Sequence, residues 1–162
     1  MFASQENEKP AETVLENIDA AQAIAIANQW KWTKKEIKSY VDSREVVFKF
    51  PDGRMKKFPL PKDKMLVAVA PYIRRTHKWK THFMSSCQGE LAESKFKVKA
   101  ADAEGKILID DTVSTLRNGF MELWLPRNRR IVLSIQGFNR TAEGIIETFD
   151  GSDTCITTFR LR

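Results

Sequence analysis

Apolar and polar positions divide the chain into one helical stretch followed by many strand-like ones. The first ten residues, MFASQENEKP, are polar, contain a proline and show no periodicity, the pattern of a mobile tail. From Ala11 the spacing turns helical. Val14, Leu15 and Ile18 recur on one face, the alanine-rich continuation has high helix propensity, and Asn28 is the expected end. Thr33 to Glu36 reads as a capping box, with Trp32 and Ile37 spaced as its hydrophobic staple. Two readings of the next residues stay open. Ile37, Tyr40 and Val41 fit a short helix, whereas Ile37, Ser39 and Val41 alternate as a strand does.

Arg44–Phe50 and Met55–Leu60 are β-rich and flank Pro51-Asp52-Gly53-Arg54, so a hairpin is predicted: proline presets one turn dihedral and glycine supplies a positive φ. Met65–Ala70 is a near-continuous apolar strand, expected to be buried on both faces, and Pro71 ends it. Tyr72–Glu90 has no period. Beyond Leu91 short strands follow at Lys95–Ala101, Lys106–Asp110, Phe120–Leu125, Ile131–Ile135, Ile145–Phe149 and Thr154–Leu161. Such spacing indicates a β-sandwich or a related barrel. The fold class is therefore α+β, mostly β, with an N-terminal helix and β-hairpin followed by a C-terminal antiparallel β-sandwich-like domain. The expected organisation is a tail (1–10), a helix-plus-hairpin module (11–71) and a β-rich domain (72–162).

Composition narrows the chemistry. The 162 residues suffice to bury a core without disulfide staples. Twenty-seven basic against 21 acidic residues give a net charge of +6, which favours acidic partners but falls short of a dedicated nucleic-acid binder. No nucleic-acid motif is present, and Trp79 and Phe83 interleaved with Arg74, Arg75, Lys78 and Lys80 are read first as a solvated loop face. No apolar run approaches the length of a membrane span. Serines and carboxylates show no hydrolytic pattern, so nothing in these residues recommends a hydrolase.

The chain has two cysteines, Cys87 and Cys155, and two histidines, His77 and His82. Three of the four lie in the aperiodic stretch, at spacings of five and five that do not share a helical face, so joint ligation requires a folded-over loop. Two thiolates with imidazoles suit Cu(I) or Zn(II). A buried inert pair and a Cys87–Cys155 disulfide are the alternatives. Met84 is a possible thioether ligand but more often such a residue fills a gap. Glu90 would either orient a ligating histidine or sit as a solvated strand-start charge.

Thr76-His77, His82 and Ser86-Cys87-Gln88-Gly89-Glu90 together resemble the signature of CueP-type bacterial copper-resistance proteins. The resemblance extends through Ala68-Val69-Ala70-Pro71-Tyr72, Asn118-Gly119-Phe120, Leu123-Trp124-Leu125-Pro126 and Thr154-Cys155-Ile156-Thr157-Thr158. It implies a periplasmic or cell-surface protein, its export segment removed, that holds copper, Cu(I) by preference, at Cys87, Cys155, His82 and His77. Zinc is an expected ligand in vitro. It also implies a homodimer and, as partners, a periplasmic copper enzyme such as a superoxide dismutase and a thiol–disulfide oxidoreductase. The competing reading is a thiol–disulfide redox protein working through Cys87 and Cys155. One position departs from the family: eight residues before Cys87, where the family has a cysteine, this chain has Trp79. Its indole would either pack as a hydrophobe or cover the ion through a cation–π contact.

Overall fold

The computed structural model describes residues 10–162, so nearly all of the tail expected over 1–10 lies outside the described residues. The chain is α+β and mostly β, as its patterning predicts. A single turn, α1 (Ala11–Val14), leads into α2 (Ala20–Thr33). Asp19 starts α2 with a capping box of its own: its carboxylate accepts from the Gln22 N–H at 2.8 Å, and the Gln22 side chain accepts from the Asp19 N–H at 2.9 Å. The helix runs five residues past Asn28, so Thr33 to Glu36 is its end and not a new beginning. The open question at Ile37 resolves as strand, with β1 at Lys38–Val41.

The predicted hairpin forms as β2 (Glu45–Lys49) and β3 (Met55–Pro59), its turn built on Gly53 at φ +90°. With β1 these strands make an antiparallel sheet ordered β1–β2–β3. Helix α2 covers it through Ala20, Ala23, Ile24, Ala27 and Trp30. Trp30 meets Phe48 edge to face, ring centroids 5.5 Å apart.

Strand β4 (Lys64–Val69) pairs antiparallel with β7 (Met121–Pro126) and parallel with the two-residue β10 (Cys155–Ile156). The remaining strands, β5 (Lys95–Asp102), β6 (Ile107–Ser114), β8 (Arg130–Gly137) and β9 (Arg140–Glu147), form an antiparallel sheet ordered β6–β5–β8–β9. Phe96, Val98, Ile131, Leu133 and Ile135 of this sheet pack against Met65, Val67, Val69, Met121, Leu123 and Leu125 of the other. Each such fully buried side chain contributes about 1.5–3 kcal/mol. The alternate positions of β4 turn the other way: Leu66 joins the core under α2, and Ala68 backs a small third cluster with Ala70, Phe120 and both cysteines. β4 is thus buried on both faces, as its continuous apolar run predicts. Thr154–Leu161, predicted as one strand, is regular only at Cys155–Ile156.

Candidate metal centre

Residues 76–90 have no strand or helix to hold them, so their shape depends on individual hydrogen bonds. The Lys80 carbonyl accepts from the N–H groups of Thr154 (2.9 Å) and Cys155 (3.1 Å), fixing the loop to the edge of β10. The Lys80 ammonium donates to the Gly151 carbonyl at 2.6 Å and pairs with Asp153 at 3.1 Å. Buried Thr154 is a hub: its hydroxyl accepts from the His82 N–H (3.0 Å) and donates to the Val41 carbonyl (2.6 Å). Val41 N–H returns a bond to the His82 carbonyl at 2.9 Å. The loop then closes a turn in which Cys87 N–H donates to the Phe83 carbonyl at 2.8 Å and Phe83 N–H points at Cys87 Sγ at 3.4 Å. Beyond it, Gly89 crosses Gly119 so closely that a Cβ on Gly89 would stand 2.7 Å from the Gly119 oxygen.

These constraints bring Cys87 beside Cys155. Both are free thiols, both are buried, and an imidazole nitrogen of half-buried His77 joins them, the three donor atoms lying within 4.8 Å of one another. Ligands of one ion stand at most about twice a metal–ligand distance apart, roughly 4–4.6 Å. The donors therefore fit a soft ion after a small adjustment, and two sulfurs with one nitrogen are the donors such an ion prefers. A surface recess lined by Arg75, Thr76, His77, Gln88, Gly89 and Glu90 opens beside His77.

The pair is electrostatically unequal. Cys155 S–H donates to Cys87 and holds that thiol below its ordinary range; burial opposes the effect, while the neighbouring His82 imidazole and the Phe83 N–H add to it. Cys155 is pushed up by the same bond, by burial and by the nearby charges of Cys87 and Asp153. Cys87 is accordingly the thiolate of the pair and Cys155 the residual thiol.

His82 is not among the three clustered donors. It is fully buried, stacks on Phe120 at 4.5 Å, and has neither ring nitrogen hydrogen-bonded among the described residues. Met84 points into the core beneath α2, the gap-filling role. Glu90 does neither of the things its position suggests: its carboxylate accepts backbone N–H bonds from Ile73 (2.7 Å), Arg74 (3.1 Å) and Arg75 (3.0 Å), clamping the entrance to the His77 loop. Desolvation pulls the Glu90 carboxyl up, but these donors and the Arg75 charge outweigh it and hold the group below the usual carboxylate range. Trp79 is 57% exposed and leans on Phe83, ring centroids 6.4 Å apart.

Three residues outside the predicted set reach the site. Lys31 of α2 donates to the Cys87 carbonyl at 2.5 Å and to Gln88 Oε1 at 2.7 Å. Asn28, one turn earlier, donates to Glu122 Oε2 at 2.7 Å, and Glu122 on β7 lies within electrostatic range of His82. For Asn28 and Lys31 the only signal in the sequence is their helical spacing, three apart and hence on one face, and Glu122 on its strand gives none.

The family described as periplasmic copper-binding protein CueP matches residues 19–160. The chain belongs to the CueP family. The crystal structure of S.CueP superposes on it with a TM-score of 0.85 at 31% identity, covering 94% of each chain. No curated protein matches by sequence. CueP proteins are periplasmic and bind copper, which agrees with the copper expectation in its coarse form. Among the described residues of this CueP chain, no helix is long and apolar enough to cross a membrane.

Proposed function

We propose that this CueP protein binds Cu(I) through Cys87 and Cys155, with His77 as the third donor and His82 lying behind Cys87 as an inner ligand available on rearrangement. The observation that carries the reading is the convergence of two buried free thiols and one imidazole within 4.8 Å. Half-buried His77, beside the recess, is the first donor an arriving ion meets, and the thiols lie deeper. Arriving Cu(II) is reduced at the same place. Each of two Cu(II) ions takes one electron, and the two thiols lose two protons and form the Cys87–Cys155 bond. A thiol–disulfide oxidoreductase then returns the pair to its reduced state. Held by thiolates, Cu(I) is kept from peroxide-driven radical chemistry, which gives copper tolerance in the periplasm, and it is passed from there to a copper enzyme such as a superoxide dismutase.

Anaerobic titration with Cu(I) against a competing chelator tests the site. Tight one-to-one binding that collapses in Cys87→Ser and Cys155→Ser is expected, and weak binding indifferent to both substitutions would remove the reading. The second reading, a thiol–disulfide redox protein, draws on the unequal thiol pair. It gains if Cys87 exchanges rapidly with disulfides while Cu(I) binds weakly.

A further inference from the structure

Lys31 occupies the last turn of α2, where a basic residue is ordinarily explained by the negative end of the helix dipole. Its ammonium does not serve the helix end. It reaches across to the loop and hydrogen-bonds the Cys87 carbonyl (2.5 Å) and Gln88 Oε1 (2.7 Å), with the Trp32 ring 4.9 Å away. Both oxygens are neutral, and no carboxylate pairs with Lys31 among the described residues. The other charges around the site are matched or exposed. Lys80 pairs with Asp153, Arg75 faces Glu90, and Arg74 and Lys78 point into solvent. The bond to the Cys87 carbonyl holds the ammonium beside the residue that carries the thiol. Lys31 thus brings one unmatched positive charge to the edge of the thiol pair.

We infer that Lys31 is a specificity-determining residue of the thiol site, favouring a monovalent over a divalent ion by balancing its net charge. The inference rests on the copper reading above. Two thiolates around Cu(I) carry a net charge of −1, and around Zn(II) they carry none. A neighbouring cation is attracted to the first assembly and indifferent to the second. Whatever protons the metal-free thiols hold cancel from the comparison, because both ions start from the same state. Glu122, Glu90 and Asp153 likewise act on both ions before and after any change at Lys31. Only the ratio of the two affinities isolates the lysine.

The experiment is a pair of anaerobic chelator competitions, one with Cu(I) and one with Zn(II), on the full chain. Lys31→Met and Lys31→Gln are both expected to lower the Cu(I)-over-Zn(II) preference by about tenfold. Glutamine matters because it keeps a donor for the Cys87 carbonyl without the charge. Lys31→Arg, which keeps the charge, is expected to retain the wild-type ratio. Circular dichroism confirms that each variant is folded, and any one uncharged variant that folds suffices. An unchanged ratio in the uncharged variants, including equal weakening of both ions, would overturn the inference, as would loss of the ratio in Lys31→Arg. A wild type without thiol-dependent Cu(I) binding would instead end the copper reading itself, and this inference with it.

Discussion

The hydroxyl of Thr154 connects the His82 N–H to the Val41 carbonyl with no exposure to solvent. Thr154→Val keeps its shape and leaves both groups unpartnered, so a loss of about 1–3 kcal/mol is expected in urea unfolding. Cys155 is the next residue, and its alkylation should quicken in the same variant. Glu90 gives a different signature. Its folded pKa lies below the unfolded value, so its contribution is present at neutral pH and disappears as pH falls through the folded value. Glu90→Gln should be less stable than wild type at neutral pH, and urea unfolding should show the gap closing in acid, below about 4.3. The four candidate donors stand out in the sequence because cysteine and histidine are scarce here and three of them fall in one stretch. Which three the fold brings together, His77, Cys87 and Cys155, does not. His77 and His82 are equivalent as letters, yet Thr154 and Val41 hold the backbone of His82 inside while His77 stays at the rim. Lys31 is illegible for a simpler reason: a lysine in a last helical turn already has a sufficient local explanation.

Helix α2 brings Lys31 to the Cys87 carbonyl and Asn28 to Glu122, so its stability bears on the chemistry. Asp19→Ala removes the capping box and should cost about 1 kcal/mol, read from thermal or urea unfolding. Elements whose turn residues have special backbone needs are readily predicted. Gly53, Gly105 and Gly151 all sit at positive φ where turns are expected. The β8–β9 hairpin is longer than predicted because its turn is made by Phe138 and Asn139, both at φ +56°, and phenylalanine is no turn signal. β6 likewise runs on to Ser114 through Asp111 and Thr112, whose polarity hides a solvent-facing strand. Thr33 to Glu36 misleads as a start because the capping pattern is short and the helix that begins at Ala20 reaches Thr33 before it ends.

At the scale of the molecule, the two large cores meet along β4, and the Asn28–Glu122 bond joins α2 to β7 beside that seam. Burial raises the Glu122 carboxyl pKa, against the Asn28 bond and the attraction of His82. The folded chain therefore keeps a proton the unfolded chain releases, and stability falls as pH rises from about 4.3 through the raised value. Glu122→Gln keeps an acceptor for Asn28 and should be more stable than wild type at neutral pH, with the advantage vanishing in acid, as thermal melts across pH would show. The architecture of paired sheets is legible from alternation alone, but the placement of Cys155 is not, since a two-residue strand parallel to β4 has no periodicity of its own. That brief strand has a consequence for biosynthesis. A chain emerging from its N-terminus displays Cys87 long before Cys155 exists, and the second thiol arrives only when the final segment docks onto β4. An unfinished or clipped chain therefore offers a lone sulfur, and the paired thiols are in effect a certificate that synthesis is complete.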